Sequence, residues 1–193
     1  MATSADKPAA QPDKVAPETA RSASLLKADI ALRLSLFSAT LVALVVTVTS
    51  KQTKLFNFPF SPFPLKLDAK FNYSPALIYF VVANSVACLY SILTVGLSSF
   101  SVSRSSQSTK LLLLLSSMDV VVAGIMASAT GAVSSVAYIG LKGNSHTGWT
   151  KVCNDFDKFC QHVGSAVSIS LVASIILVFL VILSSYSLYL RSH

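Results

Sequence analysis

Leu111–Gly131 reads LLLLLSSMDVVVAGIMASATG, apolar throughout except for one ionisable residue, Asp119. An aspartate there is costly whether the segment lies in lipid or in a soluble core, because a buried charge must find a partner or lose its proton. The segment is long enough to span a bilayer, which takes about 20 residues at helical rise. Three more stretches match it. The four candidate spans are about residues 30–50, 75–97, 111–138 and 165–190. A single apolar stretch can be a buried core helix, but four of them leave no room in 193 residues for a second folded domain. The expected fold is an all-α membrane protein, a four-transmembrane-helix bundle.

Composition agrees. Hydrophobic residues make up 53% and charged residues 12%, about half the charged share of ordinary soluble domains. The net charge of +7 is spread thinly between apolar blocks, with no basic cluster of the kind that reads nucleic acid. Residues 1–29 are rich in Ala, Pro, Ser and Lys, and are expected to form a disordered cytoplasmic tail ahead of a transmembrane domain over 30–190. No apolar core of a cleaved signal peptide lies near Met1.

Four spans place both termini on one side. Eight Lys and Arg fall on that side (Lys7, Lys14, Arg21, Lys27, Arg33, Arg104, Lys110, Arg191) and seven on the other (Lys51, Lys54, Lys66, Lys70, Lys142, Lys151, Lys158). Eight against seven does not decide orientation. Cys153 and Cys160 in the third loop bear on it. Bonded to each other, they would put that loop in an oxidising compartment. Free or lipid-modified thiols are the other reading. A zinc site with His146 and His162 matches no standard spacing. Asn72-Tyr73-Ser74 is a possible glycosylation sequon in the first loop, pressed against Pro75 and the second span. Both signals point the same way, with the termini in the cytosol. Cys88, within the second span, reads as a packing residue.

In that orientation spans one and three run in the same direction. Asp119 lies roughly 13 Å along the helix from Lys110, and Arg33 lies near the same end of the first span. Intramembrane charges usually face a partner or a cavity, so an intramembrane pair, Arg33 with Asp119, is expected. Arg33 snorkelling alone, with Asp119 protonated or bonded to serines on neighbouring helices, is the plainer alternative. Ala123, Ala127 and Gly131, with Gly124, Ser128 and Ala132, form small-xxx-small stripes for helix packing. They mark the third span as the most enclosed, within one bundle or between protomers.

No P-loop, HExxH, GxSxG or GxGxxG motif occurs, and no convergent set of catalytic or metal ligands. Neither enzyme activity, cofactor nor metal is expected. In the third loop, Trp149, Phe156 and Phe159 flank the cysteines as an interfacial belt or as an outer-loop recognition surface. In the first loop, Phe56, Phe58, Phe60 and Phe63 alternate with Pro59, Pro62 and Pro64 and could lie on lipid.

These residues carry a resemblance. RLSLFSATLVALVVTVTSKQTK, SPALIYFVVANSVACLYSIL, MDVVVAGIMASATGAVSSVAYIGLKGN and WTKVCNDFDKFCQHVGSAVSISL together resemble the Casparian strip membrane domain proteins and the CASP-like proteins of plants, four-span proteins related to MARVEL proteins. The likeness covers about residues 25–192 and is to the broader CASP-like group, its first subgroup. The family pattern has an Arg in the first span and an Asp in the third, here Arg33 and Asp119. It also has a Trp and two Cys in the last outer loop, here Trp149, Cys153 and Cys160. The resemblance implies a plasma-membrane protein with cytosolic termini that forms homo- and hetero-oligomers with related four-span proteins. It also implies a scaffold role in organising a membrane domain and guiding local cell-wall modification, with an extracellular or cell-wall protein as a further partner. The rival from another class is a small channel or transporter subunit with Asp119 as its ion or proton site.

Overall fold

The computed structural model describes residues 15–56, 64–103 and 109–192. Four helices dominate: α1 (Val15–Thr49), α2 (Pro75–Ser103), α3 (Thr109–Lys142) and α4 (Asp157–Ser192). Each contains a segment long and apolar enough to cross a membrane. Between α1 and α2 stands an antiparallel hairpin of β1 (Lys51–Phe56) and β2 (Leu65–Lys70). Residues 1–14 of the expected tail lie outside the described residues, as do Phe58, Pro59, Phe60, Pro62 and Phe63.

The helices outrun the apolar stretches. Residues 15–29, expected in the tail, belong to α1. Their Ala, Glu, Leu and Lys favour helix. Pro17 is tolerated because it falls in the first turn, whose N–H groups lack intrahelical partners. The fourth helix starts at Asp157 rather than 165, with that carboxylate at the positive end of the helix dipole. Pro75 opens α2, where its fixed φ suits a first turn.

The helices pack in a ring, α1 on α2, α2 on α3, α3 on α4 and α4 on α1, so α1 and α3 stand across a diagonal. Buried positions recur at alternating steps of three and four: Leu36, Thr40, Ala43 and Thr47 in α1, and Phe80, Asn84, Ala87, Ser91 and Thr94 in α2. Val122, Met126, Ala129 and Val133 continue this in α3, and Val163, Ala166, Ser170, Ala173, Leu177 and Leu180 in α4. That 3.5-residue period is the seam of left-handed bundles. The seam is rich in small and hydroxyl-bearing residues, whereas Leu41, Val42, Val45, Leu89, Ile92 and Leu93 face outward. Lipid is as apolar as leucine, so association is driven by close packing and interhelical bonds, and those residues take the inside.

Within the single bundle the third span is not the most enclosed but the least: 17% of its apolar window is buried, against 39% for α2. Ala123 packs against the core, but Gly124, Ala127, Ser128 and Gly131 face outward. A Cβ placed on Gly124 or Gly131 would meet nothing within 4 Å. Gly124 is two residues from both Val122 and Met126, about 200° round the helix from the seam.

Candidate functional site

Within the membrane the ionisable groups form a cluster larger than a pair. The Arg33 guanidinium donates through Nη1 and Nη2 to the two oxygens of Asp119, at 3.2 and 3.1 Å. Its Nε donates to Asp29, one turn earlier on α1, at 3.2 and 3.1 Å. From α2, the Tyr90 hydroxyl donates to Asp119 Oδ1 at 2.6 Å. Asp119 is fully buried and the Arg33 side chain is 2% exposed, while Asp29 keeps 18%. The planar fork of arginine is what allows bidentate pairing with one carboxylate while the inner nitrogen serves a second. Helical rise explains the meeting: Arg33 lies roughly 24 Å from the α1 end at Thr49, and Tyr90 roughly 22 Å from the α2 start at Pro75.

Sequence reasoning missed Asp29 and Tyr90. Asp29 had a signal, its i,i+4 spacing to Arg33 on a continuous helix, hidden by assigning it to the tail. Tyr90 had none, because one tyrosine in an apolar span looks like another.

Along the seam the buried hydroxyls are largely self-satisfied. Thr40, Thr47, Ser91 and Thr94 hydroxyls donate to carbonyls four residues back. Thr130 and Ser170 bond across α3 and α4 at 3.0 Å. Asn84 Nδ2 donates to Phe80 O, while its buried Oδ1 has no partner. Cys88 is a free, buried thiol.

At the other end of the bundle the loops form a clasped cap. Cys153 and Cys160 are bonded. Gln52 on β1 grips the start of α4 with both ends of its amide: Nε2 donates to Asp157 Oδ1 at 3.1 Å, and Oε1 accepts from the Phe159 N–H at 2.9 Å. The Phe56 and Phe156 rings lie 6.2 Å apart. Phe156 is buried and Phe159 partly so, which removes both from the outer recognition surface expected of them. Phe156 packs against Phe56 of the hairpin and Phe159 against the bundle core. Trp149 is 58% exposed and remains on the surface. Its backbone pairs with Asn144 in both directions at 3.0 Å; Gly148, at φ +70°, lies in the turn between them, and Gly143, also at +70°, ends α3 just before it. Beside the hairpin, a cavity of about 270 Å³ is lined by Lys70, Tyr73, Leu77, Val136, Phe156 and Phe159, among others. A hydrogen bond from Thr53, aided by Lys70, holds the Asp68 carboxyl below the usual carboxylate range. Asn72 is exposed in a 3-10 turn directly before α2. His146 and His162 are exposed, and no metal-ligating cluster occurs among the described residues.

This arrangement binds helices together and holds a cap in place. No solved structure matches the chain. The Casparian strip membrane protein domain matches residues 22–176. A CASP-like protein 1D1 of Musa acuminata is 54% identical over 173 residues, 87% of this chain and 90% of the relative. Another, of Populus trichocarpa, is 52% identical over 83% of this chain and 82% of the relative. CASP-like protein 1D2 of Glycine max is 45% identical over 97% of each. With four apolar helices of bilayer-spanning length and a family match over most of its length, this chain is a multi-pass membrane protein and belongs to the Casparian strip membrane protein domain family, among CASP-like proteins of the first subgroup.

Proposed function

We propose that the protein is a non-enzymatic plasma-membrane scaffold that assembles with copies of itself and with related four-span proteins, organising a membrane domain that guides local cell-wall modification. The observation that carries this is the outward face of α3. Gly124, Ala127, Ser128 and Gly131 lie exposed, on the side away from the seam, with open space over the glycines. Small residues let helix backbones approach closely, and the strip over Gly124 and Gly131 is unused within the single bundle, while Ser128 at its edge is bonded to the Tyr79 hydroxyl of α2 at 2.7 Å. Family membership supports the same reading. The Cys153–Cys160 bridge supports a cap outside the cell and termini in the cytosol. Exposed Asn72 and Trp149 would then be available there for glycosylation and for an extracellular partner. Asp119 as an ion or proton site has less support, because both of its oxygens already accept from Arg33 and one also from Tyr90.

The test is Gly124→Ile with Gly131→Ile. The open space should let the fold survive. Cross-linked oligomers in the membrane should fall, and fluorescence recovery after photobleaching should speed up. Slow recovery with unchanged cross-links would remove α3 as the assembly face.

A further inference from the structure

We infer that the outer cap binds a polyanion, a linear carboxylate-bearing polymer, along the lysine face of the β1–β2 hairpin. This rests on reading the cap as the extracellular surface. Residues 50–74 and 142–164 carry seven lysines against three aspartates, a net +4. Two of the aspartates are engaged inside the cap. Asp68 pairs with Lys70 at 3.1 Å, and Asp157 accepts from Gln52 at the start of α4.

The hairpin sorts its charges by face. Residues directly opposite in an antiparallel pair point the same way, and neighbours along a strand alternate. Gln52 and Phe56 point toward α4 and the disulfide loop, as their contacts show. The other face therefore carries Lys51 opposite Lys70, Thr53 opposite Asp68, and Leu55 opposite Lys66. Lys51, Thr53 and Leu55 are exposed while Gln52, Lys54 and Phe56 are half-buried, the alternation such docking produces. Lys66, opposite Leu55, stands four residues from the level of Lys51, about 13 Å along the hairpin, while Lys70 is held by Asp68, lies over the Tyr73 ring and borders the cavity. Among the paired residues of this face the one acid is Asp68, which Lys70 already holds. A small carboxylate cannot span that distance, whereas a polymer repeating its charge can contact both ends. An anionic lipid headgroup fits less well, because the negative surface potential of a plasma membrane belongs to its cytoplasmic leaflet. A net positive surface outside the cell favours a soluble or wall-borne polyanion.

The experiment uses the full chain in nanodiscs of zwitterionic lipid, with immobilised polygalacturonate as probe and its fully methyl-esterified form as the uncharged control. Binding should appear at low ionic strength and weaken with salt, as exposed charges are screened over about 10 Å at 0.1 M. Lys51→Gln with Lys66→Gln should weaken it about tenfold, the effect of two exposed ion pairs. Lys51→Arg with Lys66→Arg should retain it, which separates lost charge from lost fold. Lys27→Gln with Lys110→Gln, at the opposite end of the bundle, should leave it unchanged. Three results would overturn the inference: no binding, equal binding of the esterified polymer, or loss on changing Lys27 and Lys110 instead. None of them bears on the α3 variants, whose cross-linking and photobleaching readouts test the scaffold reading by itself.

Discussion

Arg33 and Asp119 meet across the diagonal of the bundle, two parallel hydrogen bonds of 3.2 and 3.1 Å joining helices α1 and α3 that otherwise pack on α2 and α4. The ion pair bridges helices that form no major packed face with each other. Removing Arg33 strands the buried Asp119, at about 3–5 kcal/mol, whereas replacing the partners together with apolar residues can be near neutral. Arg33→Leu should lower stability by that order in a denaturant titration in micelles, Asp119→Ala should cost less because Arg33 keeps Asp29, and Arg33→Leu with Asp119→Leu and Asp29→Asn should recover most of the loss.

Asp29 changes what charge reversal can achieve. Arg33→Asp with Asp119→Arg would place a carboxylate four residues from Asp29 on the same helix face, a repulsive spacing. The exchange alone should fail to restore assembly, and adding Asp29→Asn should restore part of it. Full rescue without the Asp29 change would mean that Asp29 does not share the arginine.

Tyr90→Phe removes only the hydroxyl that donates to Asp119 at 2.6 Å. A hydrogen bond to a charged group contributes about 1.5–3 kcal/mol, so a loss of that size is expected, with packing intact. An unchanged melting temperature would mean that the hydroxyl is idle.

Gln52→Ala should free the hairpin without touching the helices, since the amide supplies two of the bonds between β1 and α4. Limited proteolysis should then cut faster within residues 50–74, while the transmembrane fragments stay protected. Equal cleavage would place the clasp in the Phe56–Phe156 contact instead.

Asp68 gives a pH dependence with a definite sign. Its folded pKa lies below the unfolded value, through Thr53 and then Lys70. Its contribution to the hairpin is therefore complete above the ordinary carboxylate range and lost as pH falls through the lowered value. NMR titration should give Asp68 a midpoint below that of a model carboxylate, and Lys70→Gln should move it up.

Gly143 and Gly148 share φ +70°, but only Gly143 is crowded: a Cβ there would lie 2.7 Å from Trp149 O. Gly143→Ala should cost more than Gly148→Ala, which bears the backbone strain of about 1–2 kcal/mol alone. Thermal melts of the two variants make the comparison.

Spans, element type and the two marked charges were legible in the sequence, because apolar length and isolated charge are properties of the chain itself. A 20-residue apolar run must be a helix in lipid, where every backbone group needs an internal partner. Which side of each helix faces inward was not legible from hydropathy, since the outside is as apolar as the inside. The clue lay in small and polar residues seven apart, such as Thr40 and Thr47, or Asn84, Ser91 and Ser98, all buried. The glycines of α3 show the limit of that clue. Small residues can serve a seam or an outer face, and only the rotation of α3, set by Asp119 reaching Arg33 and Tyr90, turned Gly124 and Gly131 outward. Tertiary structure alone also brought Gln52 to Asp157 and buried Phe156, because a clasp between distant loops depends on where the helices place their ends.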